Sequence, residues 1–328
     1  MAEIIIGMAS PNTPMLAMAP ELWEERAAAD RRNTNLVDID GRVCTYEQLA
    51  QRTGNRYATY ATTTNFKQQN AAAQAALDRL AAELSAAKPD LVVLLSHDNR
   101  DLFTPENQPV MCVYYGDKLI TQKAKLAADA PSWQRQLAKA QGQDEHHEFP
   151  VAAEFARELI IKLMAHQCDT ASADEIPQPD QQAFGYTFSF PLVRLVGAVP
   201  VVPVILNALL APNQPSPRRC YELGRILRAA IADTAPGARV ALLTSVGMCH
   251  FVVNEELDKQ VLGAIKNGDS QTLRTIPTKL LAGNNGQIRD LIMTAGAMEG
   301  RALGWSEYIP VYRTAAGTGV GIAALRWQ

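Results

Sequence analysis

At 328 residues, 47% apolar and 20% charged, the chain is long enough for one large α/β domain and ordinary enough in composition to bury a sizeable core. A net charge of -3 without a long basic stripe excludes an electrostatic case for nucleic acid, and no apolar run approaches membrane-spanning length. The five cysteines, Cys44, Cys112, Cys168, Cys220 and Cys249, form no C-x-x-C pair, so neither a disulfide framework nor a zinc site is indicated.

Met1 to Ile6 has no basic region ahead of an apolar core, so it reads as a first strand rather than a signal peptide, and the chain is expected to be soluble and cytoplasmic. That strand, Glu3 to Met8, runs into a loop of turn formers, Ala9 to Pro14. Pro20 opens a helix through about Arg32, and Thr45-Tyr46-Glu47-Gln48 resembles a capping box. Thr64 to Ala87, rich in Ala, Gln and Leu, predicts a long helix ended by Pro89. Leu91 to Leu95 and Val110 to Tyr115 predict buried strands. Lys123 to Glu148 is polar, carries Pro131 and shows no clear period, which predicts an excursion over the surface with His146 and His147 solvated in it. Phe149 to Ala165 predicts an amphipathic helix with His166 at its C-terminal end.

Ala198 to Leu206 reads as a central strand, but Pro200 and Pro203 point to an edge, a bulge or irregular pairing. A helix from Pro217 to about Ala232, a strand from Arg239 to Thr244 and a helix from Glu255 with Asn254 as N-cap follow. Asn285 to Ala297 is a further helix, and Tyr308 to Thr314 and Gly319 to Trp327 are paired strands. Trp23, Trp305 and Trp327 read as packing residues, and Cys249 as a small buried apolar one. Strands alternate with helices from end to end, which predicts a single three-layer α/β/α domain over 1–328 with a mostly parallel or mixed central sheet.

Several polar loops leave the ends of apolar strands: around Asn12, around His97 to Asn99, and around His250. A polar turn, Gly283 to Gln287, opens another helix. Parallel strands would gather these loops at one cleft. His250 either ties down its loop or moves protons near neutral pH, for which imidazole is the best-suited side chain.

The chain resembles the class III extradiol ring-cleavage dioxygenases, the LigB-like superfamily that includes the protocatechuate 4,5-dioxygenase beta subunit. The resemblance runs through Ala9 to Leu16, Leu94 to Asn99, Val199 to Val204 with Asn207 and Pro212 to Pro215, Ser245 to Phe251, Gly283 to Ala297, and Tyr308 to Arg313. It implies a LigB-like fold and chemistry on a small aromatic acid, catechol- or gallate-like. The family holds iron(II) with two histidines and one carboxylate, and a further histidine handles protons. The proton-handling histidine matches His250. The metal ligands fall on Asn12, Asn99 and Gln287, and a family glycine–histidine pair falls on Gly185-Tyr186. Amides bind a transition metal weakly compared with imidazole or carboxylate.

Three readings follow. The first is a metal-independent enzyme, with no cofactor, for C–C hydrolysis, aldehyde loss, decarboxylation or tautomerisation. Its proton handlers are His250 with Tyr186 or His97, and its ligand-binding residues are Asn12, Thr13, Asp98, Asn99, Gln287 and Arg289. Arg289 and Arg313 are each either a carboxylate holder or an internal ion-pair partner. The second is an iron(II) dioxygenase whose site is rebuilt from His97, Asp98 and His250. The third is a non-catalytic subunit of a dioxygenase complex. The resemblance implies a homodimer or a partner subunit, and neither nucleic acid nor a membrane is expected as a partner.

Overall fold

The computed structural model describes residues 1–130, 132–176 and 178–328. Its centre is an eight-stranded mixed sheet. In chain order the strands are β1 (Glu3–Pro11), β2 (Leu91–His97), β3 (Met111–Tyr114), β4 (Ala171–Ala173), β5 (Val201–Leu206), β6 (Arg239–Val246), β7 (Leu303–Tyr312) and β8 (Gly319–Trp327). Their order across the sheet is β7-β8-β1-β6-β2-β5-β3-β4. The middle four, β1, β6, β2 and β5, are mutually parallel; β8 runs antiparallel to β1, and β3 antiparallel to β5.

Alternation along these strands makes the layers. Leu91, Val93 and Leu95 join one core cluster with Val202, Val204, Leu206, Val240 and Leu242. Val92 and Leu94 join a second with Val201, Ile205, Ala241 and Leu243. A strand's successive side chains point to opposite faces, so continuous apolar runs are what a sheet covered on both sides requires. Helices α1 (Trp23–Asp30), α2 (Thr63–Ala87), α3 (Ala153–Ala165), α4 (Pro217–Asp233), α5 (Glu255–Asn267) and α6 (Ile288–Ala297) account for most of the cover. The second cluster packs Ala76, Leu80 and Leu84 of α2, and the first packs α3, α4, α5 and α6. The α4–α6 crossing is close: a Cβ on Gly224 would stand 1.8 Å from the Met293 carbonyl oxygen, and one on Gly296 2.1 Å from that of Tyr221. The architecture is the expected three-layer α/β fold.

Most predicted elements form near their expected bounds. Thr45 and Gln48 make both bonds of the capping box, and the Asn254 side chain accepts from Leu257 N–H as the N-cap of α5. Four expectations change. The surface excursion contains a helix, Ser132–Ala140; its Pro131 lies outside the described residues. His146 and His147 are half-buried and tied to Asp180 and Asp144, rather than freely solvated. The amphipathic helix starts at Ala153, because Glu148–Pro150 pairs as a ribbon with Lys118–Ile120. Finally, Pro203 lies in an interior strand. The Val201 carbonyl accepts from Ala152 on the β3 side, and Pro203 shares its parity. Pairing with β3 begins only at Val204, so the missing N–H falls in a gap of the ladder and costs no bond.

Candidate active site

The register brings three strand ends to one height. Pro11 of β1 lies opposite Val246 of β6, Thr244 of β6 opposite Leu95 of β2, and His97 opposite Leu206 of β5. The segments that follow, Asn12, Asp98-Asn99 and Gly247 to His250, therefore open at the carboxyl edge of the parallel strands, where open α/β sheets bind ligands.

His250 is fixed by three contacts. Its backbone N–H donates to Asn285 Oδ1 at 2.9 Å, and its Nδ1 lies 2.9 Å from the Met248 carbonyl. Its Nε2 lies 3.0 Å from Gln287 Nε2, while Gln287 Oε1 accepts from Gly247 N–H at 2.9 Å. These contacts determine the tautomer. A carbonyl can only accept, so Nδ1 carries the proton. Gly247 fixes the Gln287 oxygen, so the Gln287 NH2 donates to the Nε2 lone pair. Burial depresses the His250 pKa to about 4, with the positive charges of Arg313 and Arg26 adding to the effect. His250 is thus neutral at physiological pH. The arrangement needs glycine at 247, because a Cβ there would stand 2.4 Å from Gln287 Oε1.

His97 is fully buried, and its Nδ1 lies 2.6 Å from Asp290 Oδ2 of α6. Burial pushes the Asp290 pKa up, while His97 and the Arg289 guanidinium pull it back. A carboxylate oxygen accepts, so Nδ1–H donates to Asp290, and Nε2 is the ring nitrogen left over. That nitrogen is buried without a hydrogen-bond partner, as are Asn12 Nδ2, Asn99 Nδ2 and Ser245 Oγ. Native interiors leave few such groups unpaired, so a cluster of them at one strand edge marks a place where a ligand or water completes the bonding.

Tyr186 opens a short helix, Tyr186–Pro191, and faces the Asn99 side chain, Asp101 and Arg26; burial and the Asp101 charge push its hydroxyl up to about 12. Asp101 packs against Gly185, and burial with the neighbouring Asp98 charge raises its carboxyl to about 7.

The structure therefore gathers Asn12, His97, Asn99, Tyr186, His250 and Gln287. It commits three other candidates to the scaffold. Thr13 Oγ1 accepts from Met15 N–H and caps a short 3-10 helix. Asp98 accepts from the N–H groups of Asp101, Leu102 and Phe103, which uses both carboxylate oxygens. Arg289 is 2% exposed and donates to the carbonyls of Pro215, Ala208 and Leu281. Arg313, the other candidate carboxylate holder, takes its internal alternative in a buried two-bond ion pair with Asp30. Asp290, Asn285, Asp101 and Arg26 were not legible as site residues. Asp290 is one more charge in an amphipathic helix, and Arg26 follows Glu24-Glu25 in what reads as a solvated face.

Iron(II) does not fit these donors. Among the described residues no group of three or more His, Cys, Asp or Glu side chains is placed to hold a metal ion. The rebuilt triad of His97, Asp98 and His250 does not assemble, because Asp98 is spent on backbone amides and the His250 lone pair on Gln287. The unpaired atoms of Asn12 and Asn99 are NH2 groups, which donate hydrogen bonds and cannot ligate.

Among the clefts open to solvent, two differ in their distance from the histidines. One of about 390 Å³, between the loop after β1 and the helix Ser132–Ala140, includes Pro14, Met18 and Arg26. A larger one, about 570 Å³, lies at the amino ends of β1 and β6, remote from the histidines; its Arg326 and Arg79 pair with Glu83. The first is the cleft of chemical interest.

The family model described as the catalytic LigB subunit of aromatic ring-opening dioxygenase matches residues 59–323, and the chain belongs to this family. No curated protein matches it.

Proposed function

We propose that this LigB-family chain binds a small aromatic acid at the carboxyl edge of β1, β6 and β2, and acts on it by acid–base rather than by iron chemistry. The imidazoles of His97 and His250 are its proton handlers. The observation that carries the reading is the set of unpaired buried groups: two amide donors, Asn12 Nδ2 and Asn99 Nδ2, and one imidazole nitrogen, His97 Nε2, read here as the acceptor. That pattern is complementary to a hydroxyl that gives up its proton and becomes an oxyanion. By the resemblance of the sequence motifs Asn12, Asn99 and Gln287 fall where the family's iron ligands are expected, and we read the same positions as hydrogen-bonding groups here.

The two histidines differ in what they offer. His97 is oriented by Asp290 and has an unpartnered Nε2. His250 is half-buried and reachable, but its lone pair is covered by Gln287 until a ligand oxygen draws the amide away. Asp101, half-protonated near neutrality beside Tyr186, is available as a proton source. Reactions of this kind need no oxidant: hydrolysis or lysis of a carbon–carbon bond, decarboxylation, or tautomerisation.

The test is turnover of 3,4-dihydroxybenzoate, gallate and their ring-derived acids, followed by mass spectrometry under 18O2 with and without a chelator. Products free of 18O, chelator-insensitive rates, and a loss of about 10²–10⁴-fold in His97→Ala and His250→Ala are expected. Chelator-sensitive oxygen uptake restored by ferrous ion would reject the proposal.

A further inference from the structure

Arg26 is a cation left without a counterpart among the described residues. It sits on α1 and is half-buried, yet it makes no hydrogen bond and no ion pair among the described residues. Its potential partner four residues on, Asp30, is taken by Arg313 through two bonds and by the Thr318 hydroxyl. A guanidinium has five N–H donors in a fixed fork, and holding it half out of water with none of them engaged is unfavourable unless an acceptor arrives.

A second observation, on a different element, points the same way. Gln141 follows the helix Ser132–Ala140, is 4% exposed, and has its Nε2 buried without a partner. Gln141 and Arg26 line the same cleft of about 390 Å³. The remaining walls include Pro14, Met18, Trp133 and Leu137, which are apolar. The Arg26 guanidinium also lies 5.7 Å from the centroid of the Phe251 ring, the residue after His250. Its charge is felt by both the Tyr186 hydroxyl and the His250 imidazole.

We infer that Arg26 and Gln141 form an anion subsite that takes the carboxylate of an aromatic acid, with the ring carried between the apolar walls of this cleft and directed toward His250. The inference rests on the reading above in treating the ligand as an aromatic acid, and it adds which residues recognise the acid. The helix Ser132–Ala140, which supplies Trp133 and Leu137, then acts as one wall of the binding site, and the cleft selects for a planar apolar body with one negative end. A planar carboxylate matches the guanidinium fork in two parallel bonds, which a lysine cannot reproduce.

The experiment is equilibrium binding, by calorimetry, of benzoate, 3,4-dihydroxybenzoate and trans-cinnamate, each beside its carboxamide. The proteins compared are wild type, Arg26→Met, Arg26→Lys, Gln141→Leu and His250→Ala. Arg26→Met removes no native bond, so its fold should survive, and thermal melting checks this. At least one acid is expected to bind wild type roughly tenfold or more tighter than its amide. Arg26→Met should erase that preference, Arg26→Lys should recover part of it, and Gln141→Leu should weaken the acid by a smaller factor. His250→Ala should leave it in place. The inference is overturned if no acid binds at millimolar concentration, if acid and amide bind alike, or if Arg26→Met keeps the preference. The two claims fail separately. Acid binding through Arg26 without any turnover would sink the acid–base reading alone. Turnover whose KM is untouched in Arg26→Met would sink the subsite alone.

Discussion

At His250 a single side chain sets the chemistry. Gln287 presents its oxygen to Gly247 and its NH2 to His250, so the imidazole is protected from protonation by a donor as well as by burial. Gln287→Glu keeps the acceptor for Gly247 but replaces the donor with a second negative oxygen. His250 Nε2 must then carry a proton to pair with it, and an adjacent carboxylate should move the His250 titration upward by roughly 1–3 pH units from about 4. NMR titration of the His250 ring reads this directly; an unchanged midpoint would mean that the Gln287 amide is oriented the other way. Activity through His250 as a base should fall at the same time, since its neutral form is depleted. The sequence placed Gln287 and His250 in one site through the expected convergence of strand-end loops and through the family resemblance, but not in contact. Their contact joins a strand exit to a helix start 37 positions apart, and neither periodicity nor local propensity carries that information. The same holds for His97 and Asp290, which are 193 positions apart.

Elements were legible where pattern and caps agreed. β2 and β6 are continuous β-branched and aliphatic runs, buried throughout apart from Arg239. The α5 start was marked by Asn254, whose side chain accepts from Leu257 N–H at 3.1 Å. The helix Ser132–Ala140 is hard to read from sequence because its nine residues give only about two and a half turns, and its apolar contacts come from Trp133 and Leu137 in an otherwise polar tract. Pro203 misled because proline argues against interior strands, and only the sheet register reveals a gap in the ladder beside it. The N-cap at Asn254 matters beyond α5, because it lies four residues after His250 and closes the same connection. Asn254→Ala should cost about 1 kcal/mol in chemical denaturation. It also loses the Asn254 contact to the Ile39 carbonyl, so the His250 loop should exchange its amide protons faster. A neutral result in both measurements would show that the loop is held by its contacts to Asn285 and β8 alone.

Across the whole molecule, the site's unusual protonation states oppose one another, and this gives stability a readable pH signature. His250 has its pKa lowered from 6.5 to about 4. Unfolding lets it take up a proton between those values, so its contribution to stability is present above pH 6.5 and is lost as pH falls toward 4, by roughly 3 kcal/mol at one pH unit per 1.36 kcal/mol. Asp101 and Asp258 have their pKa values raised from 3.8, to about 7 and about 6. For them unfolding releases a proton above pH 3.8, so each destabilises the fold as pH rises through that window. The two carboxyl shifts together outweigh the imidazole's, so the three groups jointly destabilise the fold as pH rises, and only differences between variants expose the separate terms. Measured by urea denaturation from pH 4 to 7, His250→Gln should gain stability relative to wild type as pH falls. Asp101→Asn should gain relative to wild type as pH rises. Opposite slopes of these two difference curves are the expected outcome. Parallel slopes, or a flat His250→Gln curve, would mean that the imidazole is not held neutral. The acid–base reading would then lose its second base, while the fold and the unpartnered Nε2 of His97 would stand.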